Sequence, residues 1–274
     1  MPSKAKGNDA PSFSGKARSR RDFLKLSGIG IAGVALLGGM TAFSLARRVD
    51  SVIASELGIS PDNDGVTNRE NLVKALSYDN RNVVFLPGDY VIDNSKAESE
   101  RGLNDNFHIA IDWFEGELAM ESGARFVFTD NTRRGFVFHA GNGAKFKGLS
   151  SVFQTPPERR VIPEECFAFH YLDNILVEDA YIDGSTSVGL LFYGCVEPKV
   201  YGARILNTMA DGLHFADCQD SRAENIYTEN TGDDGLAFIN YAEPAKPDGS
   251  AYSGGYATNI TVKDSKARGI VTIG

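Results

Sequence analysis

The chain has 274 residues, 42% of them hydrophobic, which suits one large globular domain. Its net charge is −8, and residues 1–46 hold seven Lys/Arg against two Asp/Glu, so the remainder carries about −13. That balance excludes a nucleic-acid partner, which needs a basic face. It leaves room for an acidic sugar chain, because the local field of a groove can oppose the global charge.

Residues 1–46 read as an export signal. Ser19-Arg20-Arg21-Asp22-Phe23-Leu24-Lys25 precedes an uncharged Gly- and Ala-rich stretch from Leu26 to Ala46, the pattern of a twin-arginine signal. It predicts a periplasmic or extracellular destination. Ser44-Leu45-Ala46 offers a small-x-small cleavage site. The apolar stretch is also long enough to cross a bilayer, so an uncleaved anchor is the one membrane contact expected.

Residues 47–106 read as an N-terminal cap and first coil. Thr67-Asn68-Arg69-Glu70 has a capping-box pattern, and Leu72, Val73, Ala75 and Leu76 give a short helix one apolar face. Such a helix covers the open end of a solenoid, whose unpaired strand edge invites aggregation. Asn82 to Ile92 then gives a strand, a Pro87-Gly88 turn and a second strand. In residues 107–274 short strands are expected at Phe107–Ile111, Glu117–Met120, Arg125–Phe128 and Phe136–His139.

The centre of the chain repeats itself. Gly189-Leu190-Leu191-Phe192 recurs as Gly212-Leu213-His214-Phe215 and as Gly235-Leu236-Ala237-Phe238, each 23 residues on, and Cys166-Phe167-Ala168-Phe169 lies 23 residues before the first. Short apolar alternations at that period, with polar corners, predict an all-β parallel β-helix in which each copy is one coil. The step stretches to 31 between Gly135 and Cys166, across Gln154-Thr155-Pro156-Pro157-Glu158-Arg159-Arg160, and to 34 between Gly235 and Gly269, across Ala242 to Gly255. Insertions in a solenoid become loops, often at the binding face. The closing Gly269-Ile270-Val271-Thr272-Ile273-Gly274 is an apolar strand without a polar cap, which suggests a longer chain or a covering partner.

Cys195 and Cys218, one repeat apart, are expected as buried free thiols inside the coil. His108, His139, His170 and His214 show no metal-ligand spacing. His139 and His170 follow equivalent Phe-x-Phe strands and are expected to stack as packing residues.

Residues one repeat apart lie above each other at about 4.8 Å. Asp211 and Asp234 are 23 apart, each just before the glycine that opens a strand, and Asp233 adjoins Asp234. Stacked like charges repel, so stability selection would avoid them. The bland account is that Asp-Gly marks a corner; clustered hard oxygens also suit Ca²⁺. No other metal and no organic cofactor is expected.

Asp64-Gly65-Val66-Thr67 before the helix, and Phe85-Leu86-Pro87-Gly88-Asp89-Tyr90 after it, resemble the start of pectate-lyase-superfamily right-handed β-helices. Ala210-Asp211-Gly212 followed by Gly232-Asp233-Asp234-Gly235 resembles the polygalacturonase family of glycoside hydrolases. That resemblance implies a secreted enzyme of polysaccharide degradation. It makes Asp233 the general acid and has Asp211 and Asp234 hold water, with inversion at the anomeric carbon, an acid and a base flanking the bond. A crowded carboxylate cluster readily retains a proton. The family's Gly-His-Gly is here Ala267-Arg268-Gly269, and its later Arg-x-Lys has no counterpart within 274 residues. Arg268, at the repeat position of Asp211 and Asp234, either pairs with Asp234 or clamps a substrate carboxylate with its planar fork. Tyr241, beside the second insertion, is a candidate for stacking on a sugar ring. A lyase or epimerase on the same fold, and a non-catalytic glycan-binding β-helix, are the alternatives.

Overall fold

The computed structural model describes residues 51–95, 109–158, 165–241 and 252–274. The export signal of residues 1–46 lies outside them, as do His108, Arg159 and Arg160 of the first insertion and residues 242–251 of the second. Strand β1 (Ser51–Ile53) and a 3-10 turn (Ala54–Leu57) lead to helix α1 (Gly65–Leu76). The helix begins earlier than the capping-box reading placed it. Asp64 is its N-cap, with Oδ1 accepting the Thr67 amide at 2.7 Å. Its Leu72 and Leu76 enter the main core.

Seven coils follow in chain order. The first is β2 (Asn82–Phe85), β3 (Gly88–Ile92) and β4 (Ala110–Asp112); the second is β5 (Glu117–Met120), β6 (Ala124–Phe128) and β7 (Phe136–Asn142). The third is β8 (Lys145–Lys147), β9 (Ser150–Phe153) and β10 (Phe167–Asp173); the fourth is β11 (Leu176–Glu178), β12 (Tyr181–Ser185) and β13 (Leu190–Tyr193). The fifth is β14 (Lys199–Tyr201), β15 (Arg204–Thr208) and β16 (Leu213–Ala216). In the sixth and seventh the first two strands fuse, as β17 (Arg222–Glu229) with β18 (Leu236–Ile239) and β19 (Tyr256–Lys263) with β20 (Ile270–Ile273). Each strand pairs in parallel with its counterpart one coil away, and β17 bridges two sheet faces into one. This is the parallel β-helix that the period predicts.

The third strands set the core. Leu190, Leu213 and Leu236 are in register, and so are Phe192, Phe215 and Phe238. Phe138, Phe169, Phe192, Phe215 and Phe238 form one ladder of near-parallel rings with successive centroids 5.5, 4.8, 5.1 and 5.0 Å apart. Cys166, Cys195 and Cys218 are buried free thiols, as expected. At the corner after these strands, Trp113, Ala140, Tyr171, Gly194 and Asp217 each take a left-handed φ of 50 to 64°. Another corner carries an amide ladder, Asn230 donating to Asn207 at 2.8 Å and Asn207 to Asp183 at 2.7 Å. Asn and Asp tolerate left-handed backbone, which explains their frequency there.

The glycines that open the third strands are set by close approach. A Cβ on Gly212 would lie 2.7 Å from the Gly235 carbonyl oxygen and 2.6 Å from Thr228 Cγ2. The backbone carbonyl cannot yield without moving the next coil. Gly212→Ala is expected to cost about 1–3 kcal/mol in urea unfolding; an unchanged midpoint would contradict this packing.

Candidate active site

Just before those glycines, Arg134, Glu165, Val188, Asp211, Asp234 and Arg268 form one column. The backbone ladder fixes it: the Gly189 amide donates to the Asp211 carbonyl at 3.0 Å, Gly212 to Asp234 at 2.9 Å and Gly235 to Arg268 at 2.9 Å. Arg134 and Glu165, buried in consecutive coils, pair at 3.6 Å.

The stacked carboxylates are held together by donors. Asp211 Oδ1 accepts the Asp234 amide at 2.9 Å, and its Oδ2 lies 2.6 Å from His214 Nδ1. Asp234 Oδ1 accepts both the amide and Nε of Arg268 at 2.9 Å, and Oδ2 accepts Nη2 at 3.0 Å. Of the two roles open to Arg268, the pairing with Asp234 is the one formed. That bidentate contact raises the Arg268 pKa.

Asp233 sits in the turn between them, half-buried where Asp211 and Asp234 are buried. Its carbonyl accepts Ser265 Oγ at 2.6 Å and Thr231 Oγ1 at 3.1 Å, which pins the turn. Carboxylate oxygens of Asp211, Asp233 and Asp234 lie within 4.8 Å of one another. The donor set fits Ca²⁺ poorly. Both oxygens of Asp211 and of Asp234 already accept bonds, and Arg268 supplies positive charge at Asp234, whereas Ca²⁺ takes about 6–8 oxygen ligands.

Tyr241 joins this site from the outer side of the sheet that the third strands form. Its amide donates to Asp217 Oδ1 at 2.6 Å, and its ring centroid lies 5.9 Å from that of His214. The residue is 63% exposed.

His214 is the residue that the spacing argument passed over. It is the second residue of its strand, facing outward, where other coils carry Val137, Ala168, Leu191, Ala237 and Val271. A polar side chain in an apolar column was the available signal. Its Nε2 is buried without a hydrogen-bond partner. Gln219 reaches the second insertion, where Oε1 accepts the Ser253 amide at 3.2 Å.

His139 and His170 are in register, as the equivalent strands predicted. They are not core residues: as fourth residues of their strands they face outward, His139 3.5 Å from Asp112. Burial, helped by Arg134 and His139, pushes the His170 imidazole down to about 3. The unfolded ring binds a proton near pH 6.5, so between there and the folded pKa the unfolded state holds the extra proton. Stability therefore falls as pH falls, by up to about 1.4 kcal/mol per unit. In urea unfolding at pH 7 and pH 5, His170→Gln is expected to lose less stability on acidification than wild type; equal losses would contradict a neutral buried imidazole.

Among the described residues no helix is long and apolar enough to cross a membrane. No family model matches the chain, and no curated protein does. Solved structures do resemble it. A Parabacteroides merdae protein provisionally assigned as a glycosyl hydrolase aligns over 81% of this chain and 96% of its own, at 11% identity and a TM-score of 0.54. The catalytic domain of a GH87 α-1,3-glucanase, in complex with tetrasaccharides, aligns over 87% of this chain at 18% identity and a TM-score of 0.58. That of the Streptomyces thermodiastaticus GH87 α-1,3-glucanase aligns over 87% at 16% identity and a TM-score of 0.50. This chain spans 39% and 42% of those two glucanase chains. At such identities the likeness is one of fold: this chain is a parallel β-helix of the right-handed kind that glycoside hydrolases use.

Proposed function

We propose that the chain is an exported, polysaccharide-active glycoside hydrolase whose general acid is Asp233. The observation that carries this is the gathering of three carboxylates from consecutive coils, two of them locked by His214 and Arg268 and the third, Asp233, more exposed. Asp233 protonates the leaving glycosidic oxygen, Asp211 orients the attacking water, and the Asp234–Arg268 pair holds the frame. Similar folds among glycoside hydrolases support the reading, and export rests on the twin-arginine pattern. An acid at Asp233 and a water oriented by Asp211 make this a single displacement, so the anomeric carbon inverts, as the polygalacturonase resemblance implies.

A lyase or epimerase using Arg268 as its base fits poorly, since Asp234 strengthens the hold of Arg268 on its proton. The test is reducing-end release from a panel of neutral and acidic polysaccharides. Release without a rise in ultraviolet absorbance supports hydrolysis. An unsaturated, absorbing product would overturn it in favour of a lyase, and binding without turnover in favour of a non-catalytic module.

A further inference from the structure

We infer that the outer face of the sheet formed by the third strands is a ledge for an uncharged glycan several residues long, with Tyr171 and Tyr193 as its aromatic contacts remote from the carboxylates. This deepens the hydrolase reading and rests on it.

The ledge begins in the third coil. Tyr171, 53% exposed, ends the outward run of β10 in a left-handed conformation with φ 60°. Its ring lies over Gly194 of the next coil, where a Cβ would come within 2.7 Å of it. Glycine there makes the slot that the ring fills. Tyr193 of β13 stands edge-on to the Tyr171 ring at 5.5 Å, its centroid 5.5 Å from that of the tilted His170, and His139 meets Tyr171 edge-on at 5.9 Å, so each tyrosine offers its own face. Farther along the axis Tyr241 turns back to His214. From the coil of Tyr171 to that of Asp233 is three steps of about 4.8 Å, room for several sugar units. Flat aromatic faces with polar edges suit pyranose rings, whose faces are apolar and whose rims carry hydroxyls.

Charge separates the glycan classes. Asp211, Asp217, Asp233 and Asp234 bring four carboxylates to this face, of which Arg268 neutralises one. Of the arginines in the carboxylate column, Arg134 is 1% exposed and paired with Glu165, and Arg268 spends its fork on Asp234. Arg134 is thus out of reach of a substrate carboxylate, and Arg268, its side chain 54% exposed, meets one only in competition with Asp234. His170 stays neutral at working pH, because burial and Arg134 hold its proton affinity down. Among the described residues the groove thus offers stacking and hydrogen bonds, and it repels a polyuronate.

The test is calorimetric titration of the full chain carrying Asp233→Asn, so that bound glycan is not consumed. The probes are neutral oligosaccharides of glucose, galactose and mannose, from disaccharide to hexasaccharide, and matching oligogalacturonides, at low and high salt. Neutral chains should bind with affinity that rises with length and ignores salt, and oligogalacturonides should not. Tyr171→Ala with Tyr193→Ala should lower hexasaccharide affinity at least tenfold, with Tyr171→Phe retaining it; circular dichroism checks folding. Tighter, salt-sensitive binding of oligogalacturonides, or no binding of any neutral chain, overturns the ledge. Failure of hydrolysis reads out separately: wild type would then bind neutral chains and release no reducing ends.

Discussion

Asp233→Asn is expected to lower turnover by roughly a thousandfold while leaving glycan affinity close to wild type. A positioned general acid contributes about 10²–10⁴-fold, and an amide of the same shape keeps the packing while withholding the proton. The turn that carries Asp233 is pinned through its carbonyl by Ser265 and Thr231, so the substitution should not move Asp234. Initial rates at saturating substrate read this out. Loss in KM with kcat unchanged would reassign Asp233 to binding. Activity that survives intact would place the acid elsewhere.

Phe192→Ala is the substitution expected to cost most stability. Phe192 is fully buried between Phe169 and Phe215, with ring centroids 4.8 and 5.1 Å away. Truncating a buried phenylalanine in a close-packed core costs about 3–5 kcal/mol, through lost transfer energy and the cavity left behind. A solenoid coil contacts little beyond its two neighbours, so the cavity also weakens both interfaces of the fourth coil. The readout is the urea midpoint with its slope. A loss below about 1 kcal/mol would mean that the ring ladder relaxes into the gap and is not the rigid axis of the fold.

The fold was legible because its period is enforced by backbone contact. Gly189, Gly212 and Gly235 recur at a fixed step since each faces the carbonyl of the next coil, so the register of the Gly-Leu-x-Phe strands could be read by counting. The same step placed Asp211 and Asp234 in one column, and the stretched step of 34 across the second insertion added Arg268, whose guanidinium pairs with Asp234. What the repeat could not convey was which side chains turn to meet across it. His214 reaches Asp211 because alternation sends the second strand residue outward, beside a corner that aims the carboxylate the same way. The fusion of two strands in β17 and β19 was equally hidden, since it depends on a corner that simply straightens. The start of α1 was misplaced for a local reason: Asp64 caps the helix three residues before Thr67, and one Asx bond decides between two plausible starts.

The most direct test of the carboxylate cluster as a hydrolytic site is product mass after reaction in water enriched in heavy oxygen. Wild-type protein is incubated with the glycan of the panel that it cleaves best, beside Asp233→Asn. The account predicts one heavy oxygen at each new reducing end with wild type and almost none with the variant. Products that are unsaturated and carry no solvent oxygen would contradict it, as would equal labelling by both proteins.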